Sequence, residues 1–395
     1  MDTTELLELL SPEGLRLLDS LPAWRSTDDV VATVSALRAA GHPPGLVAAV
    51  LSQSKLRTKA EAKFGPFASR MLFTQAGLEQ ATRLRVAALH AGRFQAAGLT
   101  LIADLGSGIG GDAMAMAALD LAVTAYEVDE VTAAIASYNL APWPQAGVEL
   151  ADAADVDLSV FEGVYLDPAR RTAGHGNTSR ITDPNEYSPS LDFVFDVASR
   201  LPTGIKLGPG FDRDLIPAEA EAQWVSVDRD VVELGLWFGL LARPGIRRSA
   251  LVIGDHGTAE LSSDADSEDA EVGEPGEYLL EPDGAVIRAR LIGDLARSID
   301  ARMLSTGIAY LTADAPVSTP FATTFRITDR LPWDQRALKK ELAARRIGTL
   351  EIKKRGADVD PAALRRALSL KGPNSATLFV TRVAGRHTAL LAERV

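Results

Sequence analysis

The stretch Ala103-Asp104-Leu105-Gly106-Ser107-Gly108-Ile109-Gly110-Gly111-Asp112 constrains the fold of this chain more than any other. An apolar run, Leu99 to Ala103, enters it, and a helix-like segment, Asp112 to Leu119, leaves it. A strand that meets clustered glycines and continues as a helix makes a tight turn. Its backbone can approach a ligand closely at the helix N-terminus. The same alternation continues downstream. Strands are expected at Ala122 to Glu127, Val148 to Leu150, Gly163 to Leu166, around Ile205, at Trp224 to Val227 and at Val231 to Phe238. Helices are expected at Val131 to Asn139 and Leu191 to Ser199. Strands interleaved with helices indicate an α/β domain with a mostly parallel sheet.

Residues 1 to 95 carry only helical periodicity. Ser11-Pro12 reads as an N-cap followed by Pro at the first helical position, and Gly41 to Gly45 separates two helices. The segment from Asp255 to Asp283 holds eleven acidic residues and no Lys or Arg, and its centre reads as a solvated loop. Residues Thr323 to Val395 read as strand–helix–strand–helix–strand–strand, with Asp360 capping the second helix. The expected organisation is therefore a helical domain over 1–95, a catalytic α/β domain over 96–243, an acidic linker and partly ordered connector over 244–320, and a small basic α+β domain over 321–395.

The glycines satisfy the loose pattern G-x-G-x-x-G at Gly106, Gly108 and Gly111, which alone would suit NAD. Three acids bear on S-adenosylmethionine instead. Asp104 stands two residues before the first glycine, where a carboxylate can meet the ammonium end of a methionine moiety, directly or through water. Glu127 ends the next strand and can accept both ribose hydroxyls, a feature shared with NAD folds. Asp152 follows the third strand, where a carboxylate can accept the adenine amino group; Asp155 and Asp157 compete for that role. This stretch resembles the class I, Rossmann-like S-adenosylmethionine-dependent methyltransferases. The resemblance implies cofactor contacts from Asp104, Gly106, Ser107, Gly108, Gly110, Glu127 and Asp152.

Leu166-Asp167-Pro168-Ala169-Arg170-Arg171 follows the fourth strand. It looks like a variant of the D/N-P-P-aromatic motif of enzymes that methylate exocyclic amines. Ala169 replaces the second proline and Arg170 the aromatic that would stack on a base; Tyr187 is a candidate replacement ring. The resemblance gives Asp167 and Pro168 the orientation of the acceptor, and Arg170, with Arg171, a substrate anion. Methyl transfer needs mainly positioning and exclusion of water. His175 and Lys206 lie on neighbouring polar segments, with surface roles as open to them as substrate contact.

The full pattern is similar to a bacterial family of class I methyltransferases with a C-terminal THUMP-like domain. The carriers are Leu78-Glu79-Gln80-Ala81-Thr82, Asp104 to Asp112, Leu166 to Arg171, Glu351-Ile352-Lys353-Lys354-Arg355-Gly356 and Ala376 to Arg382. The resemblance implies an α/β fold: a Rossmann-like methyltransferase sheet with an N-terminal helical domain and a small C-terminal α+β domain. It also implies S-adenosylmethionine as cofactor and methylation of RNA, at a base or an exocyclic amine. A non-catalytic RNA-binding protein that keeps the pocket, and an NAD-dependent oxidoreductase, are the alternatives.

Charge bears on the partner. The 395 residues carry a formal −12, which argues against nucleic acid, but residues 321–395 hold 16 Lys and Arg against 7 Asp and Glu. That is +9 in one domain and −21 in the rest, so an RNA partner is expected at 321–395. The basic stretch Lys55 to Lys63, with Phe64, Phe67 and Phe73 nearby, is a second candidate surface; helix packing serves it equally. The absence of Cys excludes disulfides, thiolate metal sites and a Cys nucleophile. The His residues show no ligand spacing, so no metal is expected. No apolar run reaches membrane-spanning length, because Asp120 breaks the longest candidate. With an acidic N-terminus, a cytoplasmic protein without membrane contact is expected.

Overall fold

The structure, a computed structural model, describes residues 3–21, 27–170, 187–255 and 257–395. The chain forms two compact units. The first is Met1–Leu207 with Trp237–Ala242; the second is Gly208–Leu236 with Arg243–Val395.

The first unit opens with helices α1 (Thr3–Leu10), α2 (Pro12–Ser20), α3 (Thr27–Ala39), α4 (Pro44–Phe64), α5 (Gln75–Gln80) and α6 (Leu84–Ala96). The Ser11 cap is present: its Oγ accepts the Gly14 N–H at 3.0 Å, and Pro12 occupies the first helical position. Helix α4 is the organiser, burying Leu46, Val50, Leu56, Ala60 and Phe64. Polar ties hold the turn that follows. Gln53 donates to Phe73 O at 2.7 Å and accepts the Phe73 N–H at 3.0 Å, both buried.

Strands β1 (Leu101–Leu105), β2 (Ala122–Glu127), β3 (Ala146–Leu150), β4 (Gly163–Leu166) and β7 (Thr203–Leu207) line up as β3-β2-β1-β4-β7, each pair parallel. Between β4 and β7 lies a two-residue ribbon, β5 (Ala169–Arg170) with β6 (Tyr187–Ser188). Helices α7 (Gly111–Ala118), α8 (Glu130–Leu140) and α9 (Leu191–Arg200) make the crossovers. β4 is buried along its whole length and β1 from Ile102 onward, as strands covered on both faces must be. The strand order turns back between β1 and β4. A crevice opens at such a switch point beyond the carboxyl ends of the strands. This is the Rossmann-like α/β sheet, with helices before it.

The second unit contains β8 (Glu221–Val227), β9 (Asp230–Phe238, whose last two residues belong to the first unit), β10 (Arg248–Gly254) and β11 (Gly257–Ser263). They run in the order β11-β10-β8-β9. A separate seven-stranded sheet follows, ordered β13-β14-β12-β15-β18-β17-β16. Its members are β12 (Tyr278–Pro282), β13 (Arg302–Met303), β14 (Leu311–Ala313), β15 (Ala322–Leu331), β16 (Ile347–Lys354), β17 (Asn374–Val383) and β18 (Arg386–Arg394). Helices α10 (Gly284–Arg288), α11 (Ile292–Ser298), α12 (Gln335–Ala344) and α13 (Pro361–Leu368) complete it. Asp360 caps α13 by accepting the Ala362 N–H at 2.8 Å. Phe325, Phe379 and Tyr310 form the aromatic centre, with ring centroids 4.8 and 5.3 Å apart.

The acidic segment keeps a mostly exposed loop at its centre, 264–271. Its first part is strand β11, paired antiparallel with β10. Farther on, Asp266 accepts from Arg213 at 2.8 Å and Arg248 at 2.7 Å, and Glu281 pairs with Lys353 at 2.7 Å. The acids find arginines and a lysine that are distant in sequence, so the segment is fastened by ion pairs. No helix among the described residues is long and apolar enough to cross a membrane.

Candidate cofactor and active site

The glycine turn leaves β1 at Leu105 and enters α7 at Gly111. Gly106, Gly108 and Gly110 take φ of +77°, +56° and +82°, the left-handed region that a Cβ disfavours. The Gly106 and Ser107 N–H groups both donate to Tyr126 O, at 2.9 and 3.1 Å, which ties the turn to β2. A Cβ on Gly106 would stand 3.4 Å from Asp167 O, whereas nothing lies within 4 Å of one on Gly108. The turn is thus closed on its β4 side and open above Gly108. Buried Asn139 steadies it from α8, donating to Ile109 O and Leu72 O at 3.0 Å and accepting the Leu72 N–H at 2.8 Å.

Glu127 ends β2, half-buried beside the turn. Its Oε2 accepts the Gly108 N–H at 3.0 Å and its Oε1 the Asp129 N–H at 2.9 Å. Val128, an exposed apolar side chain, follows it. Asp152 lies just past β3, exposed, and accepts the Ala154 N–H at 3.0 Å. Asp157 makes the same kind of cap with Ser159 N, also at 3.0 Å, so capping does not separate the two.

Asp104 is the anomaly. It is 1% exposed, and neither carboxylate oxygen has a hydrogen-bond partner among the described residues. Burial, followed by the charges of Asp112 and Asp167, pushes its carboxyl well above the ordinary range. The Ser107 hydroxyl oxygen is likewise buried without a partner. Buried polar atoms are almost always satisfied, so these three mark a place made for a polar ligand.

Asp167 follows β4 directly, and Pro168 is buried next to it. The Lys206 ammonium donates to Asp167 Oδ2, to Thr82 Oγ1 at 3.1 Å and to Gln80 O at 3.2 Å. Thr82 in turn donates to Asp112 Oδ2 at 2.7 Å. His90 Nδ1 lies 2.9 Å from Asp112 Oδ1 and 3.0 Å from the Tyr165 hydroxyl. Burial alone would raise the Asp112 carboxyl; the hydrogen bond and charge of His90 outweigh it and hold it below the usual value. A polar chain therefore runs from Asp167 through Lys206 and Thr82 into the buried Asp112–His90 pair.

Lys63, from the basic stretch of α4, has a packing role. Its ammonium donates to Leu78 O, Glu79 O and Ala81 O at 2.7 to 2.8 Å, where α5 leaves its last carbonyls unpaired. Burial, with the charges of Lys206 and Arg83, pushes it down to about 8.

The structure gathers Asp104, Gly106, Ser107, Gly108, Gly110, Glu127, Asp167 and Pro168 around the carboxyl ends of β1, β2 and β4, with Asp152 at the end of β3. The backbone of Arg170 pairs with Tyr187 in the β5–β6 ribbon. Arg171 and His175 lie outside the described residues. Sequence reasoning missed Asp112, Thr82 and His90, and left Lys206 undecided. Thr82 and Asp112 stand at the ends of the Leu78–Thr82 and Ala103–Asp112 stretches, but spacing gave them no chemistry, and nothing in the sequence marked His90. No group of three or more His, Asp or Glu among the described residues could hold a metal ion.

The C-terminal residues 322–394 match the THUMP domain-like family, and residues 2–60 match a domain family of unknown function. An uncharacterised S-adenosylmethionine-dependent methyltransferase of Mycobacterium tuberculosis, found in two strains, is 33% identical over 340 residues. The alignment covers 83% of this chain and 90% of the relative. The chain belongs to the S-adenosylmethionine-dependent methyltransferases. The fold agrees: a crystal structure of a candidate methyltransferase from Porphyromonas gingivalis W83 superposes with a TM-score of 0.71 at 18% identity, over 94% of this chain and 99% of that one. The methyltransferase uses S-adenosylmethionine, and the orphaned Asp104 and Ser107 oxygens and the open face above Gly108 fit such a ligand. The nicotinamide alternative for the glycine turn falls with that assignment.

Proposed function

We propose that this methyltransferase modifies RNA, at a base or an exocyclic amine, and that residues 321–395 capture the RNA. The observation that carries the reading is the THUMP domain-like match over 322–394, in a domain that holds 16 Lys and Arg against 7 Asp and Glu. Within it Arg365, Arg366 and Lys371 are exposed, form no salt bridge among the described residues, and line a cavity of about 450 Å³ with Gly348, Leu350 and Ser369. Such a surface attracts phosphates. Arg345, by contrast, is committed to Asp329 and Glu341. In this division residues 96–243 perform catalysis, flanked by 1–95 and 244–320.

S-adenosylmethionine supplies a methyl group on a sulfonium, which is a good leaving group. The protein has then to bind, aim and exclude water. Asp104 would receive the ammonium group, and the backbone of Gly106, Ser107, Gly108 and Gly110 would line the methionine end. Glu127 would accept the ribose hydroxyls, since a carboxylate accepting two N–H bonds keeps lone pairs to spare. Val128 would cover the adenine, and Asp152 would accept its amino group. Asp167, steadied on Oδ2 by Lys206, would accept an N–H of the acceptor amine and direct its lone pair, with Pro168 fixing the local backbone. Arg170 would hold a substrate anion.

Incubation of the full chain with methyl-labelled S-adenosylmethionine and total RNA tests this. The expected result is ribonuclease-sensitive label that drops at least about a hundredfold in Asp167→Ala. Label found only in protein, or undiminished by Asp167→Ala, would refute the reading.

A further inference from the structure

Among the described residues the least satisfied side chain is the Asp104 carboxylate. It lies at the end of β1, fully enclosed, with no donor on either oxygen among the described residues. The charged groups that face it are Asp112 from α7, Asp167 after β4, Glu127 from β2 and Lys206 from β7. Three of the four are carboxylates. The ammonium of Lys206 has three N–H donors, and Asp167, Thr82 and Gln80 engage them. Ionised Asp104 would thus be a buried charge without a hydrogen bond, among like charges, which is the arrangement proteins avoid by binding a proton.

We propose that Asp104 carries a proton in the ligand-free protein and surrenders it to solvent when the ammonium group of S-adenosylmethionine binds, so that cofactor binding releases one proton. This rests on the reading of Asp104 as the receiver of the ammonium group. The ligand brings what the site lacks: N–H donors and a positive charge beside the carboxylate. The O–H bond of the acid breaks, the proton passes to the buffer, and the carboxylate takes up the ammonium in a charge-assisted hydrogen bond. Burial and the neighbouring carboxylates, which push this carboxyl well above the ordinary range, act in the same direction. Asp112 does not compete for the role, because His90 and Thr82 already satisfy it.

The test is calorimetric titration of the full chain with S-adenosylmethionine in buffers of different ionisation enthalpy, near neutral pH. The wild type is expected to release about one proton per ligand, and Asp104→Asn about none, with affinity weakened at least about tenfold. S-adenosylhomocysteine, which keeps the ammonium group, should release the same proton. Methylthioadenosine, which lacks the amino-acid end, should release none. Should Asp104→Asn not fold, the wild type alone decides: its affinity should rise with pH, by up to about tenfold per pH unit, in the acid window below the raised value of the Asp104 carboxyl. The ligand's own amino group titrates above that window. Binding without proton release, or equal release by Asp104→Asn, overturns this inference and leaves the cofactor assignment standing. No binding by the wild type overturns both.

Discussion

At Gly106 the turn tolerates no side chain without cost. Its φ is +77° and the Asp167 carbonyl would lie 3.4 Å from a Cβ. Gly106→Ala should lower stability by about 1–2 kcal/mol in a denaturant titration, with weaker S-adenosylmethionine binding. An unchanged midpoint would show that the turn can relax. Asp104 makes the opposite prediction. A carboxyl raised in the folded state stabilises it below the unfolded value, near pH 4, and that contribution is lost as pH rises through the folded value. Asp104→Asn should therefore make the ligand-free protein more stable than wild type at pH 8, by about 2 kcal/mol, while weakening the cofactor. Urea unfolding of both proteins at pH 5 and pH 8 would expose the effect. A variant that is less stable at both values would mean that Asp104 has a structural partner.

At the scale of elements, the turn depends on a tie from α8. Asn139 satisfies Leu72 N, Leu72 O and Ile109 O, all buried. Asn139→Ala would orphan them together and should cost about 3 kcal/mol, readable as a lower denaturation midpoint; a loss under about 0.5 kcal/mol would mean that water replaces the side chain. This tie also shows what the sequence could and could not reveal. The β1 run, the glycines and the acids after β2 and β4 were legible because chain-local chemistry dictates them. A strand needs apolar residues, a tight turn needs glycine, and ligand-facing acids sit where strands end. The Asp167–Lys206–Thr82–Asp112–His90 chain was not legible, because its members come from β7, α6, α7 and the segments after β4 and α5. No periodicity links residues brought together only by the sheet order. The ion pairs of the acidic segment were hidden for the same reason: Asp266 is balanced by Arg213 and Arg248, remote in sequence.

For the whole molecule, the net charge of −12 conceals a domain at +9. If that domain captures RNA, binding should weaken steeply with salt. Arg365→Ala with Arg366→Ala and Lys371→Ala should reduce RNA affinity by about tenfold or more and flatten the salt dependence. Affinity for S-adenosylmethionine, read by calorimetry, should stay the same. An unchanged salt slope would place the RNA surface elsewhere, with the exposed cations Lys339 and Lys340 on α12 the next to replace.

The proposed RNA methylation is tested most directly by comparing the modified nucleosides of RNA from cells with and without the protein. One methylated nucleoside is expected to disappear in its absence, to return with the wild-type chain and not to return with Asp167→Ala. Identical nucleoside profiles with and without the protein, or full restoration by Asp167→Ala, would contradict it.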